Sequence, residues 1–225
     1  MGIDVNFNNI TYTIIDLNSN LVSMGVVPFR GLSRVLHLKK LAEKLQRRYP
    51  KSWRFLKWVG RARARWLRRA RNVLTDSSHY ITKRIVKIAR KYNAAIVLED
   101  LEKLKKKASS AKLSWESQLW CYERIQSYIE YKALVEGVRA AYVNPRNTSR
   151  SSPNGRPLVF INYKFVELGG TITTRDVIAS WNLALRGLKQ MRGSRVKWSP
   201  DSPRDVAMKT RAKRGNPEVF ISIYN

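Results

Sequence analysis

The chain opens with three short runs of β-branched and apolar residues, GIDVNF, ITYTIIDL and LVSMGVV, separated by Asn8-Asn9 and by Asn18-Ser19-Asn20. Asn and Ser at hairpin spacing predict an antiparallel three-strand meander. From about Ser33 the apolar period becomes helical. Pro50 and Gly60 punctuate this region, which predicts two long helices with a break between them. In SSHYITKRIVKIARKY, Ile81, Ile85, Ile88 and Ala89 recur at the helical spacing of about 3.6 residues. The run AAIVLED then reads as a buried strand ending at Glu99. A helix from about Ser114 carries Trp115, Leu119, Tyr122, Ile125 and Ile129 on one apolar face. RAAYVNP reads as a short strand closed by Pro145, RNTSRSSPNGRP as a loop and LVFINYKFVEL as a hairpin. Residues 175–188 resume helical spacing through Val177, Trp181, Ala184 and Leu188. The basic tail, 191–225, carries Pro200, Pro203 and Pro217 and is predicted to be only partly ordered.

Strands, a helical excursion, a strand, a helix, a strand and a helix make an α/β order. The strand after the excursion is predicted to pair parallel to the first, because such a crossover needs a helix. With 225 residues, 44% of them hydrophobic, the chain suffices for one large domain or a domain with an insertion. No stretch approaches the roughly 20 apolar residues of a membrane span. The N-terminus shows no signal-peptide pattern, and Asn6 stands where a myristoylation motif needs Ser or Thr. The single cysteine, Cys121, excludes an internal disulfide and a multi-cysteine metal site, and a cytoplasmic setting fits.

Charge changes the picture. There are 44 Lys and Arg against 16 Asp and Glu, a net charge of +28. Such a chain repels itself unless a polyanion is present, which points to DNA or RNA rather than a membrane and to a nucleoid-associated location. Between Ser33 and Asn93 stand about twenty basic residues and only two acids, Glu43 and Asp76, with Trp53, Trp58 and Trp66 interleaved. In WRFLKWVGRARARWLRRAR the candidates for phosphate contact are Arg61, Arg63, Arg65, Arg68, Arg69 and Arg71. The tryptophans fit either packing or base stacking. His37 and His79 have no His or Cys neighbours in sequence and read as ordinary polar or packing residues. Gly169-Gly170 reads as a tight turn, since no phosphate-loop Lys follows.

Where acids are so scarce, one at the end of a buried strand needs a reason, since an unpaired carboxylate there costs several kcal/mol. Asp4 lies within the first strand, Glu99 ends the buried one and Asp176 starts the last helix. If these acids meet at one end of a sheet, they cannot all stay ionised without divalent cations. Hard oxygen ligands suit Mg²⁺ or Mn²⁺, and metal pairs about 3.5–4 Å apart serve in-line displacement at phosphodiesters. Taken singly, each acid also fits a salt-bridged position, and the spacing alone is not diagnostic. Asp100 reads as a helix-capping residue and Asp16 as a solvated strand position.

GIDVNFNN, AAIVLEDLEKL and TRDVIASWNLA resemble, in order and separation, the three split motifs of a RuvC-like nuclease domain. More closely, they resemble the transposon-encoded TnpB (OrfB) family, related to type V CRISPR effector nucleases. The resemblance runs to about Lys189, and the helix around SSHYITKRIV is similar to the family's insertion. It implies an RNase H-like mixed sheet with flanking helices over residues 1–190, a basic helical insertion at about 33–93, and Asp4, Glu99 and Asp176 as catalytic Mg²⁺-binding positions. It further implies metal-dependent DNA endonuclease chemistry guided by RNA. There are departures. The family's two CxxC pairs are replaced in the loop at about 146–174, with Ser152, Val166 and Gly169 near three of the positions, so zinc is not expected. Thr174 stands where the family often has an acid. The family's N-terminal domains, which bind guide RNA and target duplex, have no counterpart in this sequence. Two alternatives stay open: a nucleic-acid-binding remnant with weak or no cleavage, and a basic structural protein of a ribonucleoprotein, which leaves the three acids unexplained.

Overall fold

The computed structural model describes residues 1–100 and 114–193. Strand β1 (Gly2–Val5) pairs antiparallel with β2 (Asn9–Ile15), and β2 with β3 (Leu21–Pro28), forming the meander that the turn residues predict. Asp16 fastens the second turn: its carboxylate accepts from the backbone N–H groups of Asn18 and Asn20 and from the Asn20 side chain. It is therefore a turn clamp, not a strand position, and the Asn20 bonds hold its carboxyl below the usual range.

Helices α1 (Leu32–Arg48) and α2 (Lys57–Lys91) form an antiparallel hairpin. Val35 and Leu38 of α1 are buried against Trp66, Ala70, Val73 and Leu74 of α2. The break falls around Pro50, which can neither donate a helical hydrogen bond nor avoid the preceding turn. Gly60 does not mark it; it sits inside α2, where a glycine costs only about 1 kcal/mol relative to alanine. Beyond the α1 seam, Ile81, Ile85, Val86 and Ala89 carry α2 beneath the sheet.

Strand β4 (Ile96–Glu99) pairs parallel with β1, and β5 (Ala140–Val143) pairs parallel with β4, giving the order β3-β2-β1-β4-β5. Helix α3 (Ser114–Val135) buries Ile125, Ile129 and Ala133 in the same core as Ile3, Ile10, Ile96 and Leu98. Trp115 and Leu119, placed by pattern on the apolar face of that helix, lie outside the residues whose side chains are described. So does any capping role of Asp100, which would fall on residues 101–113.

The expected hairpin is present as β6 (Leu158–Phe160) and β7 (Phe165–Leu168), and a third strand, β8 (Thr171–Thr174), extends it into a small sheet. Gly169 and Gly170 make the β7–β8 turn with φ of 56° and 86°. Two successive positive φ angles are what a two-residue hairpin loop requires. Helix α4 (Arg175–Arg192) follows directly, and Val166, Leu168 and Ile178 fix the small sheet to it. The tail beyond residue 193 lies outside the described residues.

Helix α4 covers the face of the main sheet opposite α2 and α3, and two glycines set how closely it lies. A Cβ on Gly2 would stand 2.0 Å from the Ser180 carbonyl oxygen, and one on Gly187 would stand 2.3 Å from a Val97 methyl. Gly187→Ala is therefore expected to lower stability by about 1–3 kcal/mol, the usual cost of overpacking. The denaturant midpoint of the purified variant checks this.

Candidate active site

Strand alternation aims the first two acids. Ile3, Ile96 and Leu98 point into the core shared with α2 and α3, whereas Gly2 and Val97 face α4. Gly2 and Val97 are paired in register, and Asp4 and Glu99 each lie two residues further on. With a side-chain period of two, both carboxylates emerge on the α4 face, side by side at the C-terminal ends of adjacent parallel strands. Helix α4 begins at the same place. Thr174 caps it, its hydroxyl accepting from the Val177 N–H at 3.4 Å, and Asp176 stands in the first turn. Asp4, Glu99 and Asp176 line one cleft of about 340 Å³. The outer carboxyl ends of parallel strands are where open α/β sheets usually hold ligands.

The cleft is electrostatically strained. Burial, and then the charges of Glu99 and Asp176, push the Asp4 carboxyl up to about 8, while the Asn6 amide donating to it at 3.2 Å works the other way. Burial pushes Glu99 up to about 7. Burial also raises Asp176, opposed by Lys164 and Arg175. The donor set is all carboxylate oxygen, without sulfur or imidazole, and the positive charge of Lys164 and Arg175 acts on Asp176 while Asp4 and Glu99 stay raised. Those properties fit a hard divalent cation such as Mg²⁺ or Mn²⁺. Among the described residues no three His, Cys, Asp or Glu side chains are already gathered into a metal cluster. The three carboxylates line the same cleft without forming such a cluster.

Several polar groups around the acids were not singled out in the sequence. Arg175 lines the cleft and donates to the Tyr163 carbonyl (3.0 Å) and the Ser149 hydroxyl (3.2 Å). The Asn182 amide donates to the carbonyls of Thr148 and Ser151, both at 2.7 Å, tying the 145–151 loop to α4. Gln126 donates to the Glu99 carbonyl at 2.8 Å, and the buried Thr13 and Ser180 hydroxyls share a hydrogen bond of 2.7 Å. Their signal was position alone: Arg175 precedes Asp176, and Asn182 lies about two helical turns later.

Away from the cleft, Arg61, Arg65, Arg68, Arg69 and Arg71 are exposed on α2. Arg63 is half-buried, donating to Gln46 of α1 at 3.2 Å with its guanidinium 4.7 Å from the Trp53 ring centre. Trp66 packs in the α1–α2 seam, whereas Trp58 is 55% exposed. His79 stacks on Tyr128 at 4.2 Å, a packing role, and His37 is exposed. At the positions near the family's zinc ligands, the Ser152 hydroxyl donates to the Arg156 carbonyl, Val166 is fully buried among apolar side chains and Gly169 forms a turn.

Comparison with known proteins agrees with the motif reading. A family profile described as "Cas12f1-like, TNB domain" matches residues 122–183. The TnpB-like protein MJ0751 of Methanocaldococcus jannaschii is 30% identical over 194 residues, covering 81% of this chain and 67% of the relative. The cryo-EM structure of a Cas12f1–sgRNA–target DNA complex matches with a TM-score of 0.51 and 18% identity over 80% of this chain. This chain spans about half of that protein, 51% of its length, and a likeness at that identity concerns the fold. No helix among the described residues is long and apolar enough to cross a membrane. By its identity to the archaeal relative and the extent of the match, the chain belongs to the TnpB-like family.

Proposed function

We propose that residues 1–190 form an RNase H-like (RuvC) nuclease domain whose acidic cleft hydrolyses phosphodiester bonds in DNA. The observation that carries this reading is the meeting of Asp4, Glu99 and Asp176 in one cleft. A meander followed by two parallel strands, in the order β3-β2-β1-β4-β5, supports the fold assignment. Asp4, Glu99 and Asp176 would hold Mg²⁺ or Mn²⁺, which when bound supplies Lewis acidity toward the phosphate and lowers the pKa of water. The chain's own residues do the rest. Asn6 fixes one Asp4 oxygen, and Thr174 holds the first turn of α4 so that Asp176 faces the strands. Arg175 ties the cleft wall to α4 and keeps a positive charge beside Asp176. Arg61, Arg65, Arg68, Arg69 and Arg71 hold phosphates along α2. The Cas12f1 relative was solved with sgRNA and target DNA, and we extend a guide RNA partner to this chain on that likeness. Nucleoid association would follow from DNA binding.

The test is single-turnover cleavage of labelled DNA, supplied with guide RNA, with Mg²⁺ or Mn²⁺. Wild type is expected to cut and Glu99→Gln to be at least ~10²-fold slower, with binding retained. Equal rates would remove Glu99 from the chemistry. A second reading, a binding module that no longer cuts, is favoured by Ser152, Val166 and Gly169, none of which supplies a thiolate. A wild type that binds but never cuts under those conditions supports it. Elemental analysis of purified protein is expected to find well under one zinc per chain, because four thiolates are not available. Stoichiometric zinc would show that other donors hold it.

A further inference from the structure

The linker between α1 and α2 carries an aromatic surface that the cleft does not use. Phe55 is 83% exposed and Trp58 is 55% exposed, although the segment around them is held by backbone bonds. The Trp53 N–H donates to the Tyr49 carbonyl at 2.9 Å, and the N–H groups of Phe55 and Leu56 donate to the Ser52 carbonyl at 2.9 and 3.0 Å. Tyr49 meets Trp58 edge-on, with ring centres 5.4 Å apart at 84°. Trp53 lies under Arg63 and beside Arg54, at 4.7 and 5.3 Å. Val59, next to Trp58, is fully buried, so Trp58 is turned outward on a fixed backbone. Burying Phe55 in a neighbouring core would offset its exposure, and the described fold supplies no such core.

We propose that this tip is a stacking platform for unpaired bases of a single nucleic-acid strand. Charge selects the occupant. Between residues 44 and 75 the chain has no Asp or Glu, and Lys51, Arg54, Lys57 and Arg61 flank Phe55 and Trp58 in the sequence. An aromatic face set in cations, without acids, suits a polyanion that also presents flat apolar surfaces. A duplex hides its base faces, whereas an unpaired strand exposes them. Position agrees. About nine residues of α2, roughly 14 Å of helical rise, separate Trp58 from Leu67. Leu67 lines an apolar groove that reaches Asn6, and Asn6 also borders the acidic cleft. Asn6 thus joins the groove that begins at Leu67 to the acidic cleft.

The inference rests on the nucleic-acid part of the proposed function and is tested separately from it. Labelled oligo-dT and a blunt duplex of equal length are titrated with the full chain, as wild type and as Phe55→Ala/Trp58→Ala, at moderate salt. Single-strand affinity is expected to fall by at least about 30-fold, the low end of the effect of removing the stacking of two bases. Duplex affinity should change less than about twofold, and the salt slope should stay the same, because every cation is retained. An unchanged single-strand affinity, or an equal fall on both DNAs, overturns the platform. So does self-association in sedimentation that the variant abolishes while oligo-dT binding persists. A wild type that binds neither DNA sinks the nucleic-acid reading itself, and the platform with it. Both positions are exposed, and thermal melting checks that the variant folds as wild type does.

Discussion

Asp4→Asn is expected to make the metal-free protein more stable, not less, and to cancel the stabilisation that Mg²⁺ or Mn²⁺ gives to wild type. The first half follows from proton linkage. The Asp4 carboxyl has a folded-state value of about 8 against an ordinary 3.8. The native state therefore keeps a proton that the unfolded chain releases, and stability falls as pH rises wherever native protein binds more protons. Below the unfolded value both states are protonated and nothing is lost; from there to about 8 the loss accumulates, and above 8 it is complete. Within that window the slope is about 1.4 kcal/mol per pH unit for one group. Glu99, raised to about 7 from 4.5, adds in the same sense. An asparagine has no proton to lose. With chelator present at slightly alkaline pH, the slope implies roughly 6 kcal/mol. Set against the cost of burying the asparagine amide, a relief of about 2–4 kcal/mol remains. Asp4→Asn should therefore melt roughly 5–10 °C above wild type, and the gap should close in acid. The second half follows from binding: a cation that prefers native protein raises the melting temperature by mass action. Scanning calorimetry across pH, with chelator and with Mn²⁺, reads both halves. A variant that melts below wild type throughout would show that Asp4 is held by attraction rather than by confinement.

The second large effect lies on α2. Reversing Arg65, Arg68 and Arg69 to glutamate is expected to weaken binding to any DNA sequence by about 10²–10³-fold at moderate salt. The log–log salt slope should become shallower by roughly 0.9 for each duplex phosphate that is no longer neutralised. All three side chains are exposed and face away from the Val35, Leu38 and Ala70 seam, so the fold should survive. The Mn²⁺-induced melting shift should also survive, because the substitutions leave the acids untouched. Unchanged DNA affinity would move the phosphate-binding surface elsewhere.

Much of this was legible in the sequence because the deciding residues are local and periodic. Two-residue alternation in GIDV and IVLE fixes which side chains share a face, and a helical crossover makes those strands parallel neighbours. Once that is given, Asp4 and Glu99 must emerge together. The placing of Asp176 was less accessible, since it depends on how α4 lies against the sheet. That depends on two close approaches, at Gly2 and Gly187, where a missing side chain leaves no apolar signal to read. Strand β8 escaped because TITT is short and mostly polar, and it is recruited by its neighbour β7 rather than by burial. Asp16 was misplaced for a related reason: its bonds run to residues two and four ahead, and periodicity does not see turn contacts. Asn182 and Arg175 work through partners 12–34 residues away, which only the folded chain brings near.

The measurement that bears most directly on the acidic cleft is a calorimetric Mn²⁺ titration near neutral pH. Wild type, Asp4→Asn, Glu99→Gln and Asp176→Asn are each titrated in two buffers of different ionisation enthalpy. With Asp4 at about 8 and Glu99 at about 7, the metal-free cleft holds protons that a bound cation must expel. Wild type should therefore bind Mn²⁺ with an apparent enthalpy that changes between buffers by the heat of the protons released. Each single variant should bind at least ~10-fold more weakly, and Asp4→Asn and Glu99→Gln should release fewer protons. Mn²⁺ binding of equal strength in all four proteins, with no dependence on buffer, would contradict a shared metal site at Asp4, Glu99 and Asp176.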